Sequence, residues 1–436
     1  MNRPLAALLA LLVCLAAGPA LAAPPELAHQ VPLALNEAAS AWILTSTALV
    51  LMMTLPGLAL FYGGMVRRKN VIATLAHSTA AFAIVTVLWF AVGYSLSFGS
   101  SGPATNDFIG GLQAAFLTGV TPSTAHSLAP GLPEFLWIAY QLTFAIITPA
   151  LIAGAFAERI KFSASIVFFF LWHLLVYVPI CHQVWGGGWM GSLGVLDFAG
   201  GAVVHVNAGV AGLVACLVLG PRHGHGRDNM APHNLAFTAI GTGMLLVGWL
   251  GFNAGSAWAA DGIAAVAAFN TLLAAAAAAI GWTAVEWIEH RRPTLLGLLS
   301  GIVAGLVGVT PAAGLVDPKG AFVIGLLCGP ACYAGAVWLK RALKYDDSLD
   351  AFGVHGIGGI VGAVLTGVFA TAAINPAGEE ANVVNQLIGL AAVVAWSGVG
   401  TFLILMVCKF TTGLRVAKED EIEGLDYTQH GETIHQ

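Results

Sequence analysis

Charged residues are scarce in this chain: only 9% of its 436 residues are Asp, Glu, Lys or Arg, while 58% are hydrophobic. Soluble globular domains carry about 25% charged residues. The composition therefore excludes a water-soluble domain and predicts a protein embedded in a lipid bilayer. Its 17 Lys and Arg residues form no dense stripe of the kind that a nucleic-acid groove needs, so nucleic-acid binding is not expected.

Sequence patterns for metal binding, disulfides and hydrolytic chemistry are also missing. The six cysteines are irregularly spaced without a CxxC pair, and five lie in apolar runs, which we interpret as small core residues: Cys181, Cys216, Cys328, Cys332 and Cys408. The zinc motif HExxH and the nucleophile elbow GxSxG do not occur, which argues against an intramembrane enzyme. Neither a metal nor an organic cofactor is expected.

The first 22 residues have the features of a secretory signal peptide. Arg3 provides a basic start, residues 5–17 are apolar, and Ala20-Leu21-Ala22 is a small-residue ending. A first membrane-spanning helix is the alternative, but the apolar run is shorter than the ~20 residues that a span requires. We therefore predict that residues 1–22 are cleaved and that the mature N-terminus lies outside the cytoplasm.

Apolar stretches long enough to cross a membrane recur along the rest of the chain. Eleven are predicted, and the fold class is an all-α integral membrane protein. Their approximate bounds are 40–65, 71–97, 134–157, 163–182, 198–220, 233–253, 263–288, 295–315, 321–340, 351–373 and 385–410.

The basic residues predict how these spans are oriented. Setting aside Arg3 in the signal peptide, sixteen of the 17 Lys and Arg residues remain, and fifteen of them follow odd-numbered spans, with Lys319 as the exception. Because Lys and Arg collect on the cytoplasmic side, the N-terminus is expected outside and the C-terminus inside. The long outer connections 98–133 and 183–197 contain no Lys or Arg. This absence suits entry of a cation, but it also follows from the same sorting rule.

Two segments five spans apart share one pattern. His205 in span 5 and His355 in span 10 each begin H-x3-G-[VI]-x-G, and each follows an acidic residue and a Phe, Asp197 in one case and Asp350 in the other. An odd number of intervening spans reverses the direction of the copy. We therefore predict a 5+5 inverted repeat with a site at its interface and span 11 as an additional C-terminal helix.

Ionisable side chains within membrane spans are costly and usually functional. By symmetry His205 and His355 are expected to meet near the midplane, where two imidazoles can share a proton. Two separately satisfied packing histidines are the alternative, and metal ligation lacks a third ligand at suitable spacing. Asp197 lies near the outer mouth, where it either caps span 5 or holds negative charge that attracts a cation; both roles are compatible.

Aromatic residues form two stripes at helical spacing. Trp249, Phe252 and Ser256 share one face of span 6, and Tyr140 and Phe144 share one face of span 3. Such stripes are usually plain packing. The segment Trp185-Gly-Gly-Gly favours another interpretation here, because an exposed indole at a negatively biased entrance can hold a small cation against its ring.

Six strings together resemble the ammonium transporter (Amt/Mep/Rh) family, and most closely its bacterial members. They are Phe61-Tyr-Gly-Gly, Ala157-Glu-Arg-Ile, Val184-Trp-Gly-Gly-Gly, Leu196-Asp-Phe-Ala-Gly-Gly, Gly248-Trp-Leu-Gly-Phe-Asn-Ala-Gly-Ser and Phe352-Gly-Val-His-Gly. They occur in the order of the family, and the resemblance runs from about residue 40 into the C-terminal tail. It implies selective transport of ammonium or ammonia.

The resemblance also implies roles for individual residues. The outer recruitment site for ammonium corresponds to Trp185, Ser256, Tyr140 and Asp197; the gate corresponds to Phe144 and Phe252; the pore below it is lined by His205, His355 and Trp249. In many bacterial relatives Phe stands where this chain has Tyr140, which adds a phenol but keeps the ring.

Domain organisation and partners follow from the same resemblance. Residues 23–410 correspond to the transmembrane transport domain and residues 411–436 to a cytoplasmic regulatory tail, on which a PII-type signal protein would dock. A solvated acidic tail is the alternative interpretation. The family implies a homotrimer, and the signal peptide favours a bacterial inner membrane. An ammonium sensor with a cytoplasmic signalling partner is the alternative function, although the roughly 26 residues after span 11 leave little room for a signalling domain.

Overall fold

The computed structural model describes residues 27–102 and 105–434; the predicted signal peptide lies outside them. Ten helices in this part of the chain are long and apolar enough to cross a membrane, and an eleventh is apolar but shorter. In chain order they are α1 Glu37–Met65, α2 Arg68–Phe98, α3 Glu134–Phe156, α4 Phe162–Ser192, α5 Gly201–Leu219, α6 Leu235–Gly255, α7 Gly262–His290, α8 Leu295–Val309, α9 Pro318–Leu343, α10 Phe352–Phe369 and α11 Val383–Thr411. Two short tail helices follow, α12 Lys418–Glu423 and α13 Leu425–His430.

The eighth span ends earlier than the sequence predicts. Residues 295–315 were expected to be helical, but α8 covers only 15 residues and stops at Val309, which is about 22 Å of helix and less than the bilayer core. Pro311 follows two residues later and has no N–H with which to continue the helix. Its carbonyl instead accepts the N–H of Phe198, at 3.1 Å. The chain around residues 310–316 therefore closes against the start of α5.

The inverted repeat is visible in how α5 and α10 pack. Each begins with a π-helical turn that contains its histidine, Gly201–Val206 in α5 and Phe352–Gly356 in α10. Gly209 of α5 lies against the backbone of Gly356, and Gly359 of α10 lies against the backbone of Val206. A Cβ at Gly209 would lie 2.2 Å from the backbone N of Gly356, and a Cβ at Gly359 would lie 3.0 Å from the backbone N of Val206. The shared glycine of the motif therefore permits this reciprocal contact.

The C-terminal membrane helix packs outside this pair. α11 contacts α4, α5 and α10, which agrees with its predicted position as an additional helix beside the repeat. Its buried residues include Cys408, and all five cysteines in the described part of the chain are buried and unpaired, as expected.

The connections rich in Lys and Arg gather on one face of the bundle, here called the basic face. Buried Glu158 accepts hydrogen bonds from the side chains of Arg67 at 3.1 Å, Asn70 at 3.0 Å and Arg222 at 2.8 Å. Arg222 also bonds Asp346 through Nη2 at 2.8 Å. The connections after α1, α3, α5 and α9 are thereby joined by one ionic network.

The tail folds onto this basic face. Asp426 of α13 accepts the backbone N–H of Ala73 in α2 at 2.9 Å, and Leu425 donates its N–H to Asn70 at 2.9 Å. Arg415 pairs with buried Glu421 at 2.7 Å. The tail is therefore not purely solvated, which was one of the two interpretations, because its acidic residues Glu421 and Asp426 are buried and bonded.

The opposite face is closed by the long connection between α2 and α3. Strand β1 Gln30–Pro32 pairs antiparallel with β2 Thr124–His126. Buried Glu134 at the start of α3 fastens this cover, since it accepts hydrogen bonds from His29 at 3.1 Å, Gln30 at 2.7 Å and Tyr94 at 2.7 Å. The polypeptide ahead of α1 is thus anchored beside the region that contains the predicted entrance.

Candidate functional site

Asp197 caps the N-terminus of α5. One of its carboxylate oxygens accepts the N–H groups of Gly200 at 3.0 Å and Gly201 at 2.5 Å, and the other accepts those of Ala202 at 2.9 Å and Val203 at 3.0 Å. These are the backbone donors that a helix leaves unpaired at its start. The capping role is therefore observed, and the charge lies beside the cavity described below.

The second acidic residue of the repeat is not the one predicted. Asp350 was paired with Asp197, but its side chain forms an ion pair with Lys340. The capping carboxylate in front of α10 belongs to Asp347, which accepts the N–H groups of Ala351 at 3.1 Å and Phe352 at 2.8 Å. Counting back eight residues from each histidine identifies this pair, a spacing that was present in the sequence and overlooked.

Trp185 is half-buried and held in place, whereas the sequence led us to expect an exposed indole. Its Nε1 donates to the carbonyl oxygen of Asp197 at 2.8 Å. Its ring meets Phe144 edge-on, with the centroids 5.8 Å apart. The Trp185 indole is therefore fixed between the start of α5 and the ring of Phe144.

Phe144 and Phe252 form a stacked pair beneath Trp185. Their ring centroids are 4.1 Å apart and their planes differ by 22°. Both side chains are fully buried. Two rings at van der Waals contact leave no open passage between them, so any solute that passes must displace at least one ring.

The two histidines meet directly beyond this pair. Nδ1 of His205 lies 3.3 Å from Nδ1 of His355, and the rings are stacked at 18° with centroids 5.2 Å apart. His205 also lies 6.0 Å from the ring of Phe252, which makes the aromatic column continuous. Nε2 of His205 is buried and has no hydrogen-bond partner among the described residues. Separately satisfied packing histidines are thus not what the fold contains.

Trp249 lines the same column from α6. Its ring stacks on His205 with a centroid distance of 5.3 Å and a plane angle of 21°. Its Nε1 donates to Oγ1 of Thr310 at 2.8 Å, which fixes the indole against the turn after α8. Thr310 therefore orients the indole that stacks on His205, and no sequence motif pointed to it.

Tyr140 and Ser256 are close together, but only one of them reaches the cavity. The hydroxyl of Tyr140 donates to backbone carbonyl oxygens of α6, at 2.8 Å from that of Gly251 and 2.9 Å from that of Phe252. It is also 3.3 Å from Oγ of Ser256. The Tyr140 side chain is completely buried, so it supports the site from behind, whereas Ser256 lines the cavity.

A cavity of about 270 Å³ lies above the stacked phenylalanines. It is lined by Trp185, Ser256, Asp197 and Phe144, which were predicted, and by further residues that sequence reasoning missed, among them Trp137, Gln141, Phe198 and Trp258. The spacing of residues 137, 140, 141 and 144 on α3 places them on one helical face and was the available signal. Trp258 gave no such signal, since it lies in the connection after α6.

The described residues contain no group of three or more His, Cys, Asp or Glu side chains that is arranged to hold a metal ion. The column is instead built from aromatic rings, two imidazoles and hydroxyl groups. This donor set can hold a cation against ring faces, accept hydrogen bonds from it and exchange a proton with it.

Comparison with known proteins agrees with these observations. A sequence model of the Ammonium Transporter Family matches residues 41–435. The chain is 47% identical to the ammonium transporter of Bacillus subtilis (strain 168) over 403 residues, which cover 89% of this chain and 96% of that protein.

Solved structures give the same result. The fold matches the crystal structure of Saccharomyces cerevisiae Mep2 with a TM-score of 0.80 and 37% identity, over 88% of this chain and 91% of the other. A structure described as a sensor Amt protein matches with a TM-score of 0.82 and 27% identity, over 90% of this chain and 98% of the other. The relatives are transporters and not enzymes. With a family model that matches residues 41–435 and relatives of this similarity, the chain belongs to the ammonium transporter family.

Proposed function

We propose that the protein recruits ammonium in the cavity beside Trp185 and conducts it, as ammonia with a separately moving proton, past the stacked phenylalanines and the two histidines. The observation that carries this proposal is the unbroken column from Trp185 through Phe144 and Phe252 to His205 and His355. An aromatic face attracts a cation, and the Asp197 carboxylate adds negative charge at the same level.

Selectivity follows from the chemistry of the column. Ammonium and potassium have the same charge and similar size, but only ammonium can donate hydrogen bonds and lose a proton. Ser256 offers a hydroxyl acceptor at the cavity, and below it the buried ring pair excludes a hydrated ion. Potassium has to be stripped of water there without compensation, which is costly in an apolar interior.

The histidine pair supplies a path for the released proton. Two imidazoles whose Nδ1 atoms are 3.3 Å apart can share one proton, and the unpartnered Nε2 of His205 remains available to a guest in the pore. Transport would then move net charge although the gate passes a neutral molecule.

Orientation and assembly complete the proposal. We place the basic face in the cytoplasm, by the positive-inside rule, so the Trp185 cavity opens outward. The protein would reside in a bacterial inner membrane after removal of residues 1–22, as a homotrimer of transport domains 23–410. Its tail, residues 411–436, would present the docking surface for a PII-type protein, since Glu421 of α12 and Leu425 of α13 bond His223 and Asn70 in the basic connections.

The decisive experiment is a rapid ammonium jump on proteoliposomes that contain the purified protein. Transient current and lumenal pH are recorded together, with potassium as the control cation. Current with ammonium but not with potassium supports the proposal. A lumenal pH rise without current means neutral ammonia conduction and removes the separate proton path.

The same experiment tests the alternative function of an ammonium sensor, which is considered because the fold also matches a sensor Amt protein. A sensor would bind ammonium without significant flux. Absence of both current and pH change, in protein that elutes as a folded oligomer, would therefore contradict transport and favour sensing.

A further inference from the structure

Trp258 occupies an unusual backbone position at the mouth of the cavity. Its φ is 60°, in the left-handed region that bulky residues rarely adopt. The conformation turns the chain immediately after α6, and the indole packs on Trp137 with a centroid distance of 4.0 Å. It also meets the ring of Tyr140 edge-on at 5.0 Å. Neighbouring side chains therefore hold Trp258 in an otherwise unfavourable conformation.

The partner of Trp258 is itself firmly supported. Trp137 stacks on His126 with centroids 5.1 Å apart and planes within 6°, and His126 stacks on His29 at 5.0 Å. The His126 ring is fixed further by a contact of 3.2 Å between its Nε2 and the carbonyl oxygen of Phe98. A row of flat rings thus connects the cover formed by β1 and β2 to the cavity, and it makes the Trp137–Trp258 pair a preformed wall.

Three indoles therefore line one cavity: Trp185 on α4, Trp137 on α3, and Trp258 in the connection after α6. The cavity volume of about 270 Å³ far exceeds what ammonium needs, because a cavity of about 10–15 Å³ already holds one water, which is a molecule of similar size. Asp197 contributes a carboxylate to the lining, and none of the lining residues is Lys or Arg. Several aromatic rings around a negatively biased space are the arrangement that recognises quaternary ammonium groups.

We propose that this cavity binds small quaternary ammonium ions and retains them, so that they block the entrance. The proposal extends the proposed function, on whose recruitment cavity it rests. A quaternary ion has no N–H to donate to Ser256 and no proton to lose. The stacked Phe144 and Phe252, with centroids 4.1 Å apart, bar the path of a bulky cation toward the histidines.

Equilibrium binding of radiolabelled tetramethylammonium to the purified, detergent-solubilised protein tests the proposal directly. Saturable binding is expected, displaced by ammonium. The variant Trp258→Ala is expected to bind about tenfold more weakly, since one ring face is lost. The matched control is Trp396→Ala, whose indole lies on α11 with its Nε1 on the carbonyl oxygen of Leu175, away from the cavity; its affinity should equal that of the wild type.

A second readout uses the ammonium-jump current. External tetramethylammonium should raise the half-saturating ammonium concentration without lowering the maximal current, and this competition should weaken in Trp258→Ala relative to that variant's own ammonium response. If Trp258→Ala does not elute as folded protein, Trp258→Phe replaces it, with a smaller loss expected.

The outcomes separate this inference from the proposed function. Lack of saturable binding by the wild type, or equal affinity of the Trp258 variant and the wild type, overturns the inference. Binding without any ammonium current leaves the inference standing and contradicts transport. Ammonium current without tetramethylammonium binding supports transport and overturns the inference.

Discussion

Asp347 precedes His355 by eight residues, just as Asp197 precedes His205. Both carboxylates accept backbone N–H groups where a π-helical turn begins, and each turn carries its histidine. The number of bonds differs, four for Asp197 and two for Asp347. The repeat thus uses one device twice, to position two imidazoles that approach each other from opposite directions.

This difference predicts unequal costs of matched substitutions. In Asp→Asn one carboxylate oxygen becomes an amide nitrogen, which cannot accept, so two N–H groups lose their partner at Asp197 and one at Asp347. A buried unpaired donor costs about 1–3 kcal/mol. We expect Asp197→Asn to lower the thermal unfolding temperature about twice as much as Asp347→Asn. Unfolding of the purified proteins in detergent measures this, and an equal or reversed order contradicts the capping account.

Removing both histidines should damage selective transport. In His205→Ala with His355→Ala the ring pair and its shared proton are gone, so the protein is expected either to stop carrying ammonium current or to pass potassium as well. Currents with each cation decide between these results. His173→Ala is a matched control, because His173 is equally buried in α4 but stacks on Tyr177, outside the column. Unchanged current and selectivity in the double variant would remove the histidines from the mechanism.

The ionic network on the basic face predicts acid sensitivity. Burial alone raises the pKa of Glu158, but Arg222 and Arg67 outweigh it and hold that pKa below its usual value; the pKa of Asp346 is lowered likewise, chiefly by its hydrogen bond with Arg222 against burial. Groups with depressed pKa stabilise the folded state above their unfolded pKa, near 4.5 for Glu. This stabilisation is lost as pH falls below that value.

We therefore expect the thermal unfolding temperature of the wild type to fall steeply below about pH 4.5. In Glu158→Gln the unfolding temperature should be lower at pH 7, because the free energy of unfolding falls by an amount approaching the roughly 3–5 kcal/mol typical of a broken buried ion pair. The unfolding temperature of this variant should also fall less steeply in acid. Unfolding temperatures measured from pH 3.5 to pH 8 provide the comparison. Parallel curves for the two proteins would mean that Glu158 does not titrate as described.

The contacts of the tail predict its protection from proteases. Asp426 fastens α13 to the backbone of Ala73, so Asp426→Ala should release the tail and accelerate tryptic cleavage after Lys418. Glu423 is exposed at the end of α12, away from the cleavage site, and serves as the control, since Glu423→Ala removes an acidic residue that forms no side-chain hydrogen bond with the described residues. Cleavage is followed by mass spectrometry of the released peptide. Equal rates for all three proteins would show that the Asp426 contact does not hold the tail.

Many residues of the candidate site could be predicted from the sequence because they lie in recognisable motifs. The histidines share the glycine four residues later, and Gly209 and Gly359 proved to lie against the backbone of each other's turn. Trp185, Phe144, Phe252 and Ser256 were predicted together and do surround or underlie one cavity. Trp258 escaped prediction, since a single tryptophan in a connection has no periodicity and its left-handed backbone is not encoded by residue type.

The sequence by itself determined the membrane class, the approximate positions of the apolar segments and the connections in which basic residues gather. These are local properties: a span must satisfy its own backbone hydrogen bonds in lipid, so length and apolarity identify it. The end of α8 near Pro311 and the capping role of Asp347 had signals in the sequence that were overlooked, but only the tertiary structure decided that Trp185 is half-buried and that the tail packs on the basic face. Each depends on which backbone N–H groups, carbonyls and rings from distant segments come within a few ångströms, and that proximity arises only when the helices pack.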